Sequence, residues 1–137
     1  MADAWGPVAK VREASFDVTQ ILLVEDEPGI QLAMRGLLRR DGYEVQVAST
    51  GKEALEAIDG GNCDLVLTDL SLADGVSGLD VARRARAADP PIPVILITAY
   101  GSDQIASEAA AAGVCDYVPK PFDNQEVRDV VRRALGR

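Results

Sequence analysis

The chain contains no histidine, which removes imidazole as a general base, as a metal ligand and as the carrier of an internal phosphohistidine. If a phosphohistidine matters to this protein, another molecule must bring it. Cysteine is scarce. Cys63 and Cys115 stand in separate segments without CxxC or Cys/His spacing, which argues against a zinc site or a redox pair and makes both expected small buried hydrophobes. No apolar run approaches the roughly 18 residues of a membrane-spanning helix. The opening MADAWGPVAK lacks the apolar core and cleavage site of a secretory signal, so a cytoplasmic location away from membranes is expected. Positive charge is also short: 14 Lys and Arg against 22 Asp and Glu leave a net charge of −8. Such a surface repels a phosphate backbone, because nucleic-acid affinity rests on basic side chains displacing counterions. Direct nucleic-acid binding is not expected.

What is present suits one ordinary domain. A chain of 137 residues can bury a core without disulfides or a structural metal. Five short apolar segments alternate with five helix-like ones, the pattern of an α/β unit with a parallel sheet. The predicted strands are Gln20–Val24, Tyr43–Val47, Asp64–Thr68, Pro93–Ile97 and Val114–Val118. Ile30, Met34, Leu37 and Leu38 recur at helical spacing, as do Val127, Val130, Val131, Ala134 and Leu135. Thr50 with Glu53, Ser77 with Asp80, and Asp123 with Glu126 are helix-start signals, and Gly42 and Gly113 sit where helices should stop. ILLV, LVL and VILI read as continuous apolar runs, as central strands covered on both faces do, whereas YEVQV and CDYV are mixed, as edges are. The predicted order is therefore 2-1-3-4-5, that of the flavodoxin-like doubly wound fold. Residues 1–19 carry no clear period and read as a mobile extension, leaving 20–136 as the domain. The sequence stops directly after the fifth helix, so a stand-alone domain is expected.

In open α/β sheets the ligand crevice lies outside the carboxyl ends of the strands. There the sequence places Glu25-Asp26-Glu27 after the first strand, Asp69 after the third, Thr98 after the fourth and Lys120 after the fifth. Three carboxylates within a few ångströms repel by kilocalories even at an effective dielectric of about 20, so a cation is needed. Mg²⁺ fits, being hard, oxygen-seeking and content to keep several waters. Asp26, Asp69 and the backbone carbonyl of Ser71 are its expected ligands, Glu25 is a direct or water-mediated one, and Lys120 adds a fixed positive charge. An aspartate so placed is a competent nucleophile toward phosphorus. Glu27 suits a helix N-terminus and is left out of the site.

The segments ILLVEDEP, DLVLTDL, VILITAY and DYVPKPF, in that order and at strand ends, resemble the receiver domain of two-component response regulators over roughly residues 19–136. The resemblance implies Mg²⁺-dependent phosphorylation of Asp69 by a histidine kinase or phosphotransfer protein, with at most self-phosphorylation and autodephosphorylation as catalysis. It implies a cis Lys120–Pro121 bond, and a switch in which Thr98 moves to the phosphoryl group and Tyr117 swings inward. A downstream protein effector, or a homodimer, would meet the face of the fourth helix, fifth strand and fifth helix. Two features depart from the family pattern. The acid pair is Glu25-Asp26 rather than Asp-Asp, and the loop LSLADGVSG is one residue longer, with Ala73 where proline is usual.

Other readings compete. Asp69 could merely close a strand, Thr98 could bond locally, Lys120 could be a solvated lysine stiffened by Pro119 and Pro121, and Tyr117 could be half-buried packing. A phosphorylation-independent docking module on the same fold is the main alternative. A haloacid dehalogenase-type phosphatase would need an Asp two residues after Asp69, where Ser71 stands. Flavin phosphate would meet acids, not a Ser/Thr-rich loop, after the first strand. The Ala-rich fourth helix, with Ile105, Ala109 and Ala112 on one stripe beside Ala110 and Ala111, suits close contact or core packing.

Overall fold

Alternating side chains of the central strands face opposite ways, and helices cover both faces. The computed structural model describes residues 18–99 and 101–137. In chain order the elements are β1 (Gln20–Val24), α1 (Pro28–Arg40), β2 (Glu44–Ala48), α2 (Gly51–Gly60), β3 (Leu65–Asp69), α3 (Gly78–Arg86), β4 (Val94–Thr98), α4 (Asp103–Ala111), β5 (Asp116–Pro119) and α5 (Asn124–Ala134). The sheet runs β2-β1-β3-β4-β5 with every pair parallel, which is the order read from the sequence. Ile21 and Leu23 join Leu65, Leu67, Ile95 and Ile97 in a core under α1 and α5. Their neighbours Leu22 and Val24 join Val66, Leu96 and residues of α2, α3 and α4 in a second core. The period of two along a strand explains the division. β1, β3 and β4 are almost wholly buried, while β2 and β5 are partly exposed, as edges should be.

Four strands begin one or two residues later than predicted. At β5 the reason is plain: Gly113 turns with φ 91° and the Val114 N–H bonds back to Ala109 O at 3.0 Å. These residues close α4 before pairing can start. At β3, Asp64 instead accepts the Gln20 N–H on its side chain at 2.8 Å.

The start signals act locally. Ser77 and Asp80 form a full capping box on α3, and Asp123 accepts from Glu126 N on α5. Thr50 caps α2 through Glu53 N at 3.1 Å, but Glu53 reaches back to Ser49 N, not to Thr50. Ser102, not anticipated, caps α4. Ile105, Ala109 and Ala112 turn into the core, so the stripe is largely packing, while Ala110 and Ala111 stay exposed.

One expectation fails: Cys115 is exposed and Cys63 only partly buried. Each thiol finds a backbone acceptor, Val94 O and Leu65 O respectively, which lets sulfur sit near the surface without the apolar enclosure expected of it. The expected extension 1–19 lies, up to residue 17, outside the described residues. Thr19, at its end, belongs to the folded unit. It is buried, its carbonyl accepts Glu44 N at 3.0 Å, and its hydroxyl accepts from Arg137 Nη2 at 2.9 Å.

Candidate functional site

The order β2-β1-β3 makes the chain leave β1 and β3 toward opposite faces, which opens a crevice beyond their carboxyl ends. Glu25, Asp26 and Asp69 meet there, with one carboxylate oxygen from each lying within 4.8 Å of the others. Glu25 is fully buried and Asp69 nearly so, whereas Asp26 stands partly exposed at the mouth. Glu27 is exposed and opens α1, while its backbone N–H donates to Glu25 Oε2 at 3.1 Å.

Lys120 reaches in from the end of β5. Its Nζ lies 3.0 Å from Asp69 Oδ2 and 3.3 Å from Glu25 Oε1. Its backbone is held by the bond from Lys120 N to Thr98 O at 2.8 Å, and the Lys120–Pro121 peptide is cis. Burial raises the Glu25 pKa, the Asp69 charge adds to the rise, and the Glu27 N–H and Lys120 oppose it. Burial alone would lower the Lys120 pKa, but the bond and charge of Asp69, then those of Glu25, outweigh it and hold the ammonium above its usual range. One ammonium therefore faces three carboxylates, and the balance is uncompensated negative charge. All the donors are hard oxygens, and a divalent cation such as Mg²⁺ fits that set.

Thr98 is buried at the end of β4. It lines a small cavity with Leu96, Ile105, Ala109 and Tyr117, and the Tyr117 side chain remains 48% exposed, so the ring stands at the cavity's rim and does not fill it. Ser71 is exposed on the loop after β3. Glu25, Asp26, Asp69 and Lys120 thus converge, Thr98 stands at the adjoining strand end, and Tyr117 is set apart beyond it.

Two supports were not read from the sequence. Gln31 Nε2 donates to Glu25 O and to Ser49 Oγ, tying α1 to the acid pocket. Its place one turn into α1, on the face above Glu25, was the available signal. Asp74 accepts from Gly51 N, Lys52 N and Val76 N. An Asp-Gly pair marks a turn, but nothing local reveals a partner over twenty residues away. Gly78 is obligatory for another reason: a Cβ there would lie 2.2 Å from Asp69 O.

The response regulator receiver domain model matches residues 21–132. Sporulation initiation phosphotransferase F of Bacillus subtilis is 34% identical over 85% of this chain and 93% of its own length. Transcriptional regulatory protein ZraR of Escherichia coli K12 is 36% identical over 89% of this chain, which spans only 27% of that protein. The receiver domain of sensor histidine kinase PA1611 from Pseudomonas aeruginosa, solved with a magnesium ion coordinated in the active site cleft, superposes with a TM-score of 0.78. It is 30% identical and the match covers 88% of this chain and 100% of that one. Fold, acid cluster and relatives agree: the chain belongs to the response regulator receiver domains of two-component signal transduction.

Proposed function

We propose that Asp69 is the phospho-acceptor of this receiver domain and that its partner is a histidine kinase or a histidine phosphotransfer protein. The observation that carries the reading is the Asp69 carboxylate, nearly buried at the end of a central strand and held 3.0 Å from Lys120 Nζ beside two further acids. In the transfer an Asp69 oxygen forms the new bond to phosphorus while the bond from phosphorus to the partner's imidazole nitrogen breaks. The electron pair stays on that nitrogen, which takes a proton from solvent.

Glu25, Asp26, Asp69 and the Ser71 carbonyl would hold Mg²⁺, which neutralises charge on the transferring group. Lys120, 3.0 Å from the Asp69 carboxylate, would meet the same charge. Thr98, at the neighbouring strand end, would bond the phosphoryl oxygens, and Tyr117 would leave its exposed position for the cavity it borders, a population shift between two packings. The surface of α4, β5 and α5 would change with it and serve a protein effector or a second copy of the chain. We place this in the cytoplasm, with residues 20–136 as the receiver, Thr19 packed onto it, and the residues before Thr19 as an extension.

Incubation with acetyl phosphate and Mg²⁺ tests the reading. The intact protein should gain the mass of one phosphoryl group, and Asp69→Asn should not. Equal labelling of both, or none in conditions that label other receivers, overturns it. Equal effector binding by wild type and Asp69→Asn would favour phosphorylation-independent docking instead.

A further inference from the structure

The loop from Leu70 to Ser77 joins the acceptor strand to α3, and three sets of contacts fix it. At its base, Leu70 N bonds to Ile97 O at 3.1 Å and Gly78 N to Leu70 O at 2.8 Å. Leu72 is buried in the core on the α2 and α3 side. At its tip, Asp74 Oδ1 accepts Gly51 N at 3.1 Å and Val76 N at 3.4 Å, while Oδ2 accepts Lys52 N at 2.9 Å.

A helix leaves its first four N–H groups without intrahelical partners, and at α2 three of them, on Gly51, Lys52 and Glu53, find side-chain acceptors. Glu53 N goes to Thr50 Oγ1, while Ala54 N makes the first intrahelical bond, to Thr50 O. The N–H groups of Gly51 and Lys52 are served by a carboxylate from another loop. Gly51 also has no room for a side chain, since a Cβ would lie 2.3 Å from Val76 Cβ. The backbone of α2 at Gly51 therefore packs directly against the side chains of Val76 and Asp74. Ala73 leaves free the φ that a proline would fix, so restraint at the tip of this loop falls to Asp74. Its bonds to the three N–H groups also hold its carboxyl below the usual carboxylate range, which keeps the anion that the helix N-terminus favours.

We propose that Asp74 is a positioning residue: by seating on the N-terminus of α2 it fixes the loop that carries Ser71, and so sets the metal affinity of the acid pocket. The inference rests on the receiver reading above. Second-layer groups of this kind typically change metal affinity by about 10–100-fold when removed.

The experiment titrates Mg²⁺ into full-length wild type, Asp74→Ala, Asp74→Asn and Thr50→Ala, following backbone amide shifts by NMR. Asp74→Ala should weaken Mg²⁺ binding about tenfold, and Asp74→Asn, which keeps one acceptor oxygen, should restore part of that loss. Thr50→Ala removes a cap bond from the same helix end without releasing the loop. It should lower thermal stability and leave Mg²⁺ affinity unchanged. Equal loss of affinity in Asp74→Ala and Thr50→Ala overturns the proposal, because α2 stability alone would then explain it. So does wild-type affinity in Asp74→Ala. Without metal, amide exchange in residues 70–77 should quicken in Asp74→Ala and not in Thr50→Ala, and unchanged exchange also overturns the proposal. A wild type that takes no Mg²⁺ while the exchange difference persists places the failure in the receiver reading.

Discussion

Glu25 and Lys120 pull the stability of the metal-free protein in opposite directions. Glu25 is buried with a raised pKa, so its ionised form disfavours folding at neutral pH. Glu25→Gln should therefore raise metal-free stability by about 1 kcal/mol while weakening Mg²⁺ binding, as denaturant melts with and without the ion would report. The sign depends on pH. The wild-type penalty is full above the raised folded pKa and is gone below the ordinary value of 4.5, so the gain should vanish in acid. Lys120→Met should do the reverse, costing about 3 kcal/mol because buried carboxylates lose their counter-charge. Since the Lys120 pKa is raised, the wild-type advantage should persist below about 10.4 and fade as pH rises through the higher folded value. Away from the site, burial pushes the Cys63 thiol up to about 11, so little thiolate exists at pH 8. Cys115 is exposed, and mass spectrometry of iodoacetamide-treated protein should show it alkylated first.

At the scale of elements, the join between β3 and α3 is the most tightly specified. Ser77→Ala removes the side chain that caps Leu79 N and Asp80 N and should cost about 1 kcal/mol in a urea melt. Gly78→Ala should cost more, about 3 kcal/mol, because the methyl group would meet the backbone of Asp69. Strand order and the acid cluster were legible because both follow from rules local to each strand. Doubly covered strands are continuous in apolar residues, and ligand groups follow strand ends. Strand starts were less legible. Val114 closes the helix because its N–H bonds back to Ala109 O, and bonding to β4 begins only with the Cys115 N–H on Val94 O. Cys115 was misread because apolar character predicts burial only on average, and a mixed edge strand offers one exposed face.

For the whole molecule, the separation of roles between the two cores follows from the topology. α1 and α5 cover one face of the sheet, and α2, α3 and α4 the other, while the acids sit at the rim between them. A ligand bound at the rim touches both layers, and Mg²⁺ should stabilise the domain as a unit, by about 2.7 kcal/mol at 100 times its Kd. Calorimetry should show one transition moving upward with Mg²⁺ and staying put in Asp69→Asn. What the sequence could not disclose at this scale was the long-range tie of Asp74 to α2, which joins segments whose spacing says nothing of their meeting. Another such tie is the bond from Arg137 to the Thr19 hydroxyl. It brings the end of the chain beside the start of the first strand, so the polypeptide path through the domain is nearly a closed ring. A short Gly-Ser bridge from Arg137 to Val18, in place of residues 1–17, would complete that ring, and new ends could be cut at the exposed turn around Gly60 and Gly61 without parting any strand from its neighbours.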